Sequence, residues 1–168
     1  MATEWVLEYA MGEEPAVPEA PAGITVRPFH SGDEHDAHQL IEDAFDEWQQ
    51  RRKSYQEWAQ HTVERPTFAP ETSALAFASD QLVGAVISLD PSETGEGYIE
   101  QVAVHRDHRN RGIARLLLRH AFRAFHRLGR RTCILGTHTD TGALTLYLRV
   151  GMTVRHSSTV YRKNLRTT

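Results

Sequence analysis

A mixed α/β fold with at least one strand–helix–strand crossover is what this 168-residue sequence predicts. Strand-like runs precede, separate and follow segments of helical period, the pattern of a sheet covered by helices. The most regular helical segment sits between two such runs, and that arrangement makes the crossover. Hydrophobic residues make up 40% of the chain and charged residues 24%, which suits one packed core and excludes wholesale disorder. A chain of this length buries roughly 70% of its unfolded surface and needs no staple. Cys133 is its single cysteine, so no internal disulfide is open to it.

Taken in order, residues 1–22 read as a Pro-rich N-terminal extension. Trp5-Val6-Leu7 is a short apolar island, and Pro15, Pro18 and Pro21 stiffen the rest of the segment into an extended linker. The domain proper, 23–168, begins at Gly23, and Ile24 to Arg27 alternate as a first strand ended by Pro28. Ser31-Gly32-Asp33 caps a helix running to about Glu47, with Leu40, Ile41, Ala44, Phe45 and Trp48 on one stripe. A shorter helix holds Tyr55, Trp58, Ala59 and Thr62 and is closed by Pro66 and Pro70. Ala74 to Ala78 and Leu82 to Leu89 flank a turn at Asp80-Gln81 and form a hairpin. Asp90 to Gly97 is a loop, and Tyr98 to Val104 is the next strand. Ile113, Leu116, Leu117, Ala121, Ala124, Phe125 and Leu128 then recur at three and four, and Gly129 stops this helix. Thr132 to Leu135 is a short strand, and Thr141 to Val150 is a helix ended by Gly151. Two last strands run Thr153 to His156 and Thr159 to Lys163.

The net charge of −3 hides an asymmetry. Between Met1 and Glu47 stand twelve acids and one base, Arg27; between His105 and Arg131 stand nine arginines and one acid, Asp107. Such a basic block is a solvated helix face, a nucleic-acid patch or a site for a phosphorylated small molecule. The overall acidity argues against nucleic acid as a partner. No apolar run approaches the ~20 residues of a membrane span, and Met1 to Trp5 show no basic region ahead of an apolar stretch. A cytoplasmic protein without a membrane partner is the expectation.

The segment that carries chemistry is Val102 to Ala114, where a strand enters a short basic loop and a helix opens at Gly112. The first N–H groups of a helix have no partner within it and sit at the positive end of its dipole. With no side chain at Gly112, a pyrophosphate can rest directly on them. Neither a Walker loop nor a Gly-x-Gly-x-x-Gly dinucleotide signature is present.

Arg109-x-x-Gly112-x-Ala114 resembles the Arg/Gln-x-x-Gly-x-Gly/Ala motif of the GNAT superfamily of N-acyltransferases. Ala143-Leu144-Thr145-Leu146-Tyr147-Leu148-Arg149-Val150-Gly151-Met152 is similar to that family's Ala-x-x-Leu-Tyr-x-x-x-Gly-Phe/Met element. The two occur in the family's order, a helix and a strand apart. The resemblance implies the GNAT fold, an α/β architecture with a central twisted mixed sheet of about six or seven strands flanked by about four helices. Gly142-Ala143, Leu146-Tyr147, Val150-Gly151-Met152 and Gly23 to Arg27 are further similar to the second half of mycothiol-synthase-like tandem acetyltransferases.

The resemblance implies acetyl-CoA as co-substrate and a primary amine of a small molecule as acceptor. Arg109, Asn110, Arg111, Gly112, Ile113 and Ala114 would line the pyrophosphate, and the backbone of Val102, Ala103 and Val104 would meet the pantetheine arm and the carbonyl oxygen. Tyr147 stands where the family places its proton donor to the leaving sulfur, and Glu100 on the adjoining strand is the candidate base, acting through water. Relatives carry Asn where Asp140 stands, so the pantetheine contact there becomes anionic. The acceptor is expected against Ala37 to Thr62, where Asp43, Asp46 and Glu47 favour a cationic amine. Relatives are often dimers, so the resemblance allows a homodimer. A non-catalytic acyl-CoA-binding module working with a protein partner is the alternative, opposed by the placed acid, Tyr147.

The remaining features have plainer readings. Arg111, Arg115, Arg119, Arg123 and Arg127 form a surface stripe, mostly solvated, with Arg115 within reach of a nucleotide phosphate. His35 and His38 have helical spacing but no third ligand, so no metal is expected. Cys133 reads as core packing.

Overall fold

The computed structural model describes residues 2–47, 49, 51–91, 93–138 and 142–160. Its elements are β1 (Ala2–Ala10), β2 (Ile24–Pro28), α1 (Glu34–Phe45), α2 (Tyr55–His61), β3 (Ala74–Ala78), β4 (Gln81–Leu89), β5 (Glu96–Val104), α3 (Ile113–Arg127), β6 (Thr132–His138), α4 (Leu144–Arg149) and β7 (Thr153–Val160). Seven strands form one sheet in the order β2-β3-β4-β5-β6-β1-β7. Every pairing is antiparallel except β5 with β6, the two strands joined by α3.

Side-chain alternation divides the core between the two faces of the sheet. Ala74, Ala76, Val86 and Ile99 pack with α3 and with Tyr147 of α4, whereas Leu75, Ala85, Ile87 and Ala103 pack with α1 and α2. Helix α3 lies tight against the sheet because glycines face it: a Cβ at Gly97 would stand 2.6 Å from the Phe125 ring, and one at Gly84 would stand 2.9 Å from Leu117. Ser54 caps α2 by accepting from the Glu57 N–H at 3.2 Å. Asp33, expected as a cap, makes no side-chain cap bond to α1. It pairs instead with Arg27 at 2.8 and 3.0 Å and so ties the start of α1 to β2.

The first strand corrects the reading of residues 1–22 as a separate extension. Ala2–Ala10 enters the sheet between β6 and β7, antiparallel to both. Trp5, Leu7 and Tyr9 alternate toward the α3 side, with Leu7 fully buried and Tyr9 stacked on Phe122 at 4.3 Å between centroids. The proline-rich segment after it crosses α3, where Pro15 is buried. Arg123 donates to the Pro15 carbonyl at 3.2 Å, and Arg127 pairs with Glu14 at 2.6 Å. The arginine stripe is therefore less solvated than its spacing suggests: Arg119, Arg123 and Arg127 hold the acidic N-terminal segment against the helix. The reading of two last strands is also corrected, since Thr153–Val160 is one continuous strand. Trp48, Thr141 and residues 161–163, parts of expected elements, lie outside the described residues.

Candidate active site

The site opens where two parallel strands part. β5 and β6 are paired from Glu96↔Thr132 to Ile99↔Leu135, and among the described residues no pairing continues beyond that point. On its other side β5 carries a bulge against β4: Ile87 faces Gln101 while Ser88 faces Ile99, so Glu100 is the extra residue. A bulge breaks alternation and re-aims a side chain. Ile99 and Val102, three apart, accordingly pack toward the same α3 face, and Glu100 between them borders two hollows.

The larger is a cleft of roughly 1200 Å³. Its walls include Glu100, Val102, Ala103, Val104, Arg109, Asn110, Gly112, Ile113, Ala114 and Tyr147, so most of the residues singled out by sequence meet here. Gly112 precedes α3 with φ +80° and Asn110 has φ +63°, a left-handed loop that turns the chain sharply into the helix. No side chain caps α3. A Cβ at Gly112 would meet nothing within 4 Å, so the space beside the first N–H groups is open. An open, uncapped helix start after a strand fits an anionic phosphate group.

Two arginines fall differently from expectation. Arg111 is not on the cleft wall: its guanidinium reaches His108 Nδ1 at 3.2 Å and the Ala22 carbonyl at 3.4 Å. Arg109 borders the cleft, yet its head group donates to Glu47 at 2.8 Å and to the Ala44 carbonyl at 3.0 Å, closing the C-terminal end of α1 onto the loop. Arg115, one turn into α3, supplies a cation on the wall. Asp140 lies outside the described residues.

Tyr147 is buried, and its hydroxyl bonds to no described residue. Burial pushes its pKa up from 10 to about 12, so the phenol keeps its proton at neutral pH. The Glu100 carboxylate accepts no hydrogen bond from a described residue. Beyond it lies the second hollow, of about 360 Å³, bordered by Arg65, Thr67, Glu96 and Tyr98.

The acidic group thought to favour a cationic acceptor is already neutralised. Asp43 and Asp46 share Arg52 at 2.8 and 3.7 Å, and Glu47 pairs with Arg109. Among the described residues no three His, Cys, Asp or Glu side chains converge as a metal site. His35 stacks on Tyr55 and His38 meets the Lys53 carbonyl at 2.8 Å. Cys133 is fully buried, and burial raises its thiol pKa. No helix among the described residues is long and apolar enough to cross a membrane.

Sequence reading missed Gln101, Gly136 and Thr137 on the cleft wall. Gln101 had a usable signal, a second polar residue in an otherwise apolar strand. Gly136 and Thr137 had none, because their place depends on where β6 parts from β5.

Comparison with known proteins identifies the family. The acetyltransferase (GNAT) family model matches residues 35–152, and the chain belongs to that family. A GCN5-related N-acetyltransferase from Sphaerobacter thermophilus is 34% identical with a TM-score of 0.81, over 93% of this chain and 49% of that one. N-alpha-acetyltransferase 30 from Schizosaccharomyces pombe is 31% identical over 86 residues, which is 49% of this chain and 57% of that protein. This chain thus spans about half the length of both relatives. The structure of AAC(6')-Iy with the bisubstrate analogue CoA-S-monomethyl-acetylneamine has a TM-score of 0.64 at 16% identity, over 83% of this chain and 97% of that one; it shares the fold.

Proposed function

We propose that the chain is an acetyl-CoA-dependent N-acetyltransferase that moves an acetyl group to a primary amine of a small molecule by direct attack on the thioester. The observation that carries this reading is the single cleft in which an uncapped helix start, a protonated Tyr147 and the bulged Glu100 border one space. The open loop at Asn110 to Ala114 suits the pyrophosphate, with Arg115 adding charge, and the unpaired edge of Val102 to Val104 suits the pantetheine arm. The thioester supplies an activated acetyl group. Glu100 accepts the amine's proton, directly or through one water, as the new C–N bond forms. Tyr147 gives its proton to the sulfur as the C–S bond breaks, and both groups regain their starting states from solvent.

Calorimetric titration with acetyl-CoA tests this first, with Gly112→Glu as control. Binding that the variant loses is the expected result, since a carboxylate then occupies the phosphate position. A folded protein that binds no acetyl-CoA sinks the reading. Tyr147→Phe separates an enzyme from a binding module: the enzyme loses turnover and keeps its affinity for acetyl-CoA.

A further inference from the structure

We propose that Gln101 is a specificity-determining residue of the acceptor side, and that the acceptor carries a carbonyl oxygen next to the amine it presents. This deepens, and rests on, the acetyltransferase reading above. Trp58 is 1% exposed, and its indole N–H lies 2.8 Å from Gln101 Oε1. An indole nitrogen can only donate, so the amide atom facing it is the oxygen. The amide is thereby fixed in one orientation. Its nitrogen, with two donors, bonds to no described residue, and Gln101 borders the large cleft, whose wall also includes Ala44 and Phe45 of α1.

Strand geometry decides which substrate these donors meet. Val102 and Val104 belong to the α3 face, whereas Ala103 belongs to the α1–α2 face. Gln101, two residues before Ala103 and bonded to Trp58 of α2, shares that second face. Helix α3 packs on the opposite one, so the amide, on the face away from α3, addresses the acceptor. Its neighbour in the chain is the bulged Glu100. An amine placed for the Glu100 carboxylate and a carbonyl oxygen placed for the Gln101 amide are therefore adjacent groups of one molecule. An α-amino carbonyl compound, either a small amide or a peptide with a free amino terminus, has that arrangement. A plain alkylamine leaves the donors unmatched, and a site built to bond an oxygen discriminates against ligands lacking it.

The test uses the whole chain, acetyl-CoA and three acceptors: glycinamide, a tripeptide with a free amino terminus, and propylamine. Gln101→Glu keeps an oxygen for the Trp58 indole while replacing the donors with an acceptor. We expect the wild type to favour glycinamide or the tripeptide over propylamine by about tenfold or more in kcat/KM. Gln101→Glu should remove that preference mainly through KM, leaving acetyl-CoA affinity unchanged. Which of the two oxygen-bearing acceptors is better used tells a small amide from a peptide. Gln101→Leu, which strands the indole N–H, should also lose the preference and melt at a lower temperature, whereas Gln101→Glu should not. Equal use of propylamine overturns the proposal, as does a Gln101→Glu protein with the wild-type preference. So does a wild type that binds acetyl-CoA yet acetylates none of the three. Failure of the folded wild type to bind acetyl-CoA overturns the acetyltransferase reading itself, and this proposal with it.

Discussion

Tyr147 combines two properties that rarely coincide in one side chain: it is buried, and its hydroxyl is left without a partner among the described residues. A phenol held at a pKa of about 12 stays protonated throughout the neutral range, as a proton donor must. Tyr147→Phe removes the donor while keeping the ring in the α3-side core. We expect kcat to fall by about 10²–10⁴, with acetyl-CoA affinity unchanged by calorimetry; an unchanged kcat would assign the proton to water. Gly97 is a residue-scale constraint of another kind. Its missing Cβ leaves room for the Phe125 ring, so Gly97→Ala must displace an aromatic side chain in a close-packed core. Overpacking of this sort costs about 1–3 kcal/mol. Chemical denaturation should show that loss, and Phe125→Leu in the same chain should recover part of it.

At the scale of elements, β1 is the piece that local reading could not place. Its alternation of Trp5, Leu7 and Tyr9 is as regular as that of β2, yet three prolines come after it and no strand it pairs with stands near it in sequence. Its partners, β6 and β7, are more than 120 residues away along the chain. Among the described residues β7 joins the sheet through β1 alone, helped by Arg155, which pairs with Glu8 of β1 and Glu96 of β5 at 2.7 and 2.6 Å. Leu7→Ala should therefore cost about 2–5 kcal/mol, as burial in a core demands. A melting temperature that did not move would return residues 2–10 to the status of an appendage. The helices and the strands of the middle of the chain were legible because their periodicity and stop signals are local: Gly129 after α3, Pro28 after β2. The loop that opens α3 was legible for the same reason, being one continuous stretch. The sequence puts Arg109 and Arg111 on that loop but does not place their head groups, because Glu47 and Ala22 that hold them come from distant segments.

For the whole molecule, charge pairing and burial set the pH range of stability. Hydrogen bonds from Arg27 hold Asp33 below the usual carboxylate range, those from Gln39 and then Arg52 do so for Asp43, and that from Arg155 does so for Glu96. Lowered folded-state values mean stability that is present above the unfolded pKa and is lost as pH falls through the folded one. Tyr147 acts at the other end. Its unfolded value near 10 lies below its folded value of about 12, so the unfolded chain releases the proton first and stability falls between those pH values. Two units correspond to about 3 kcal/mol. Melting temperatures followed from pH 9 to 12 should drop less steeply in Tyr147→Phe than in the wild type; parallel curves would place the alkaline transition elsewhere.

The sequence by itself determined the helices, the middle strands, the loop that opens α3 and the family to which the chain is similar, because each rests on residues close together in the chain. Only the tertiary structure decided that the acidic N-terminal segment binds the arginine face of α3, and that its first strand completes the sheet. It alone showed that the acids expected to greet a cationic acceptor are already paired. It also set one amide, Gln101, on the cleft wall with its oxygen held by Trp58. In each case the deciding contact joins residues far apart in sequence, and such contacts exist only once the chain has folded and water has been excluded from between them.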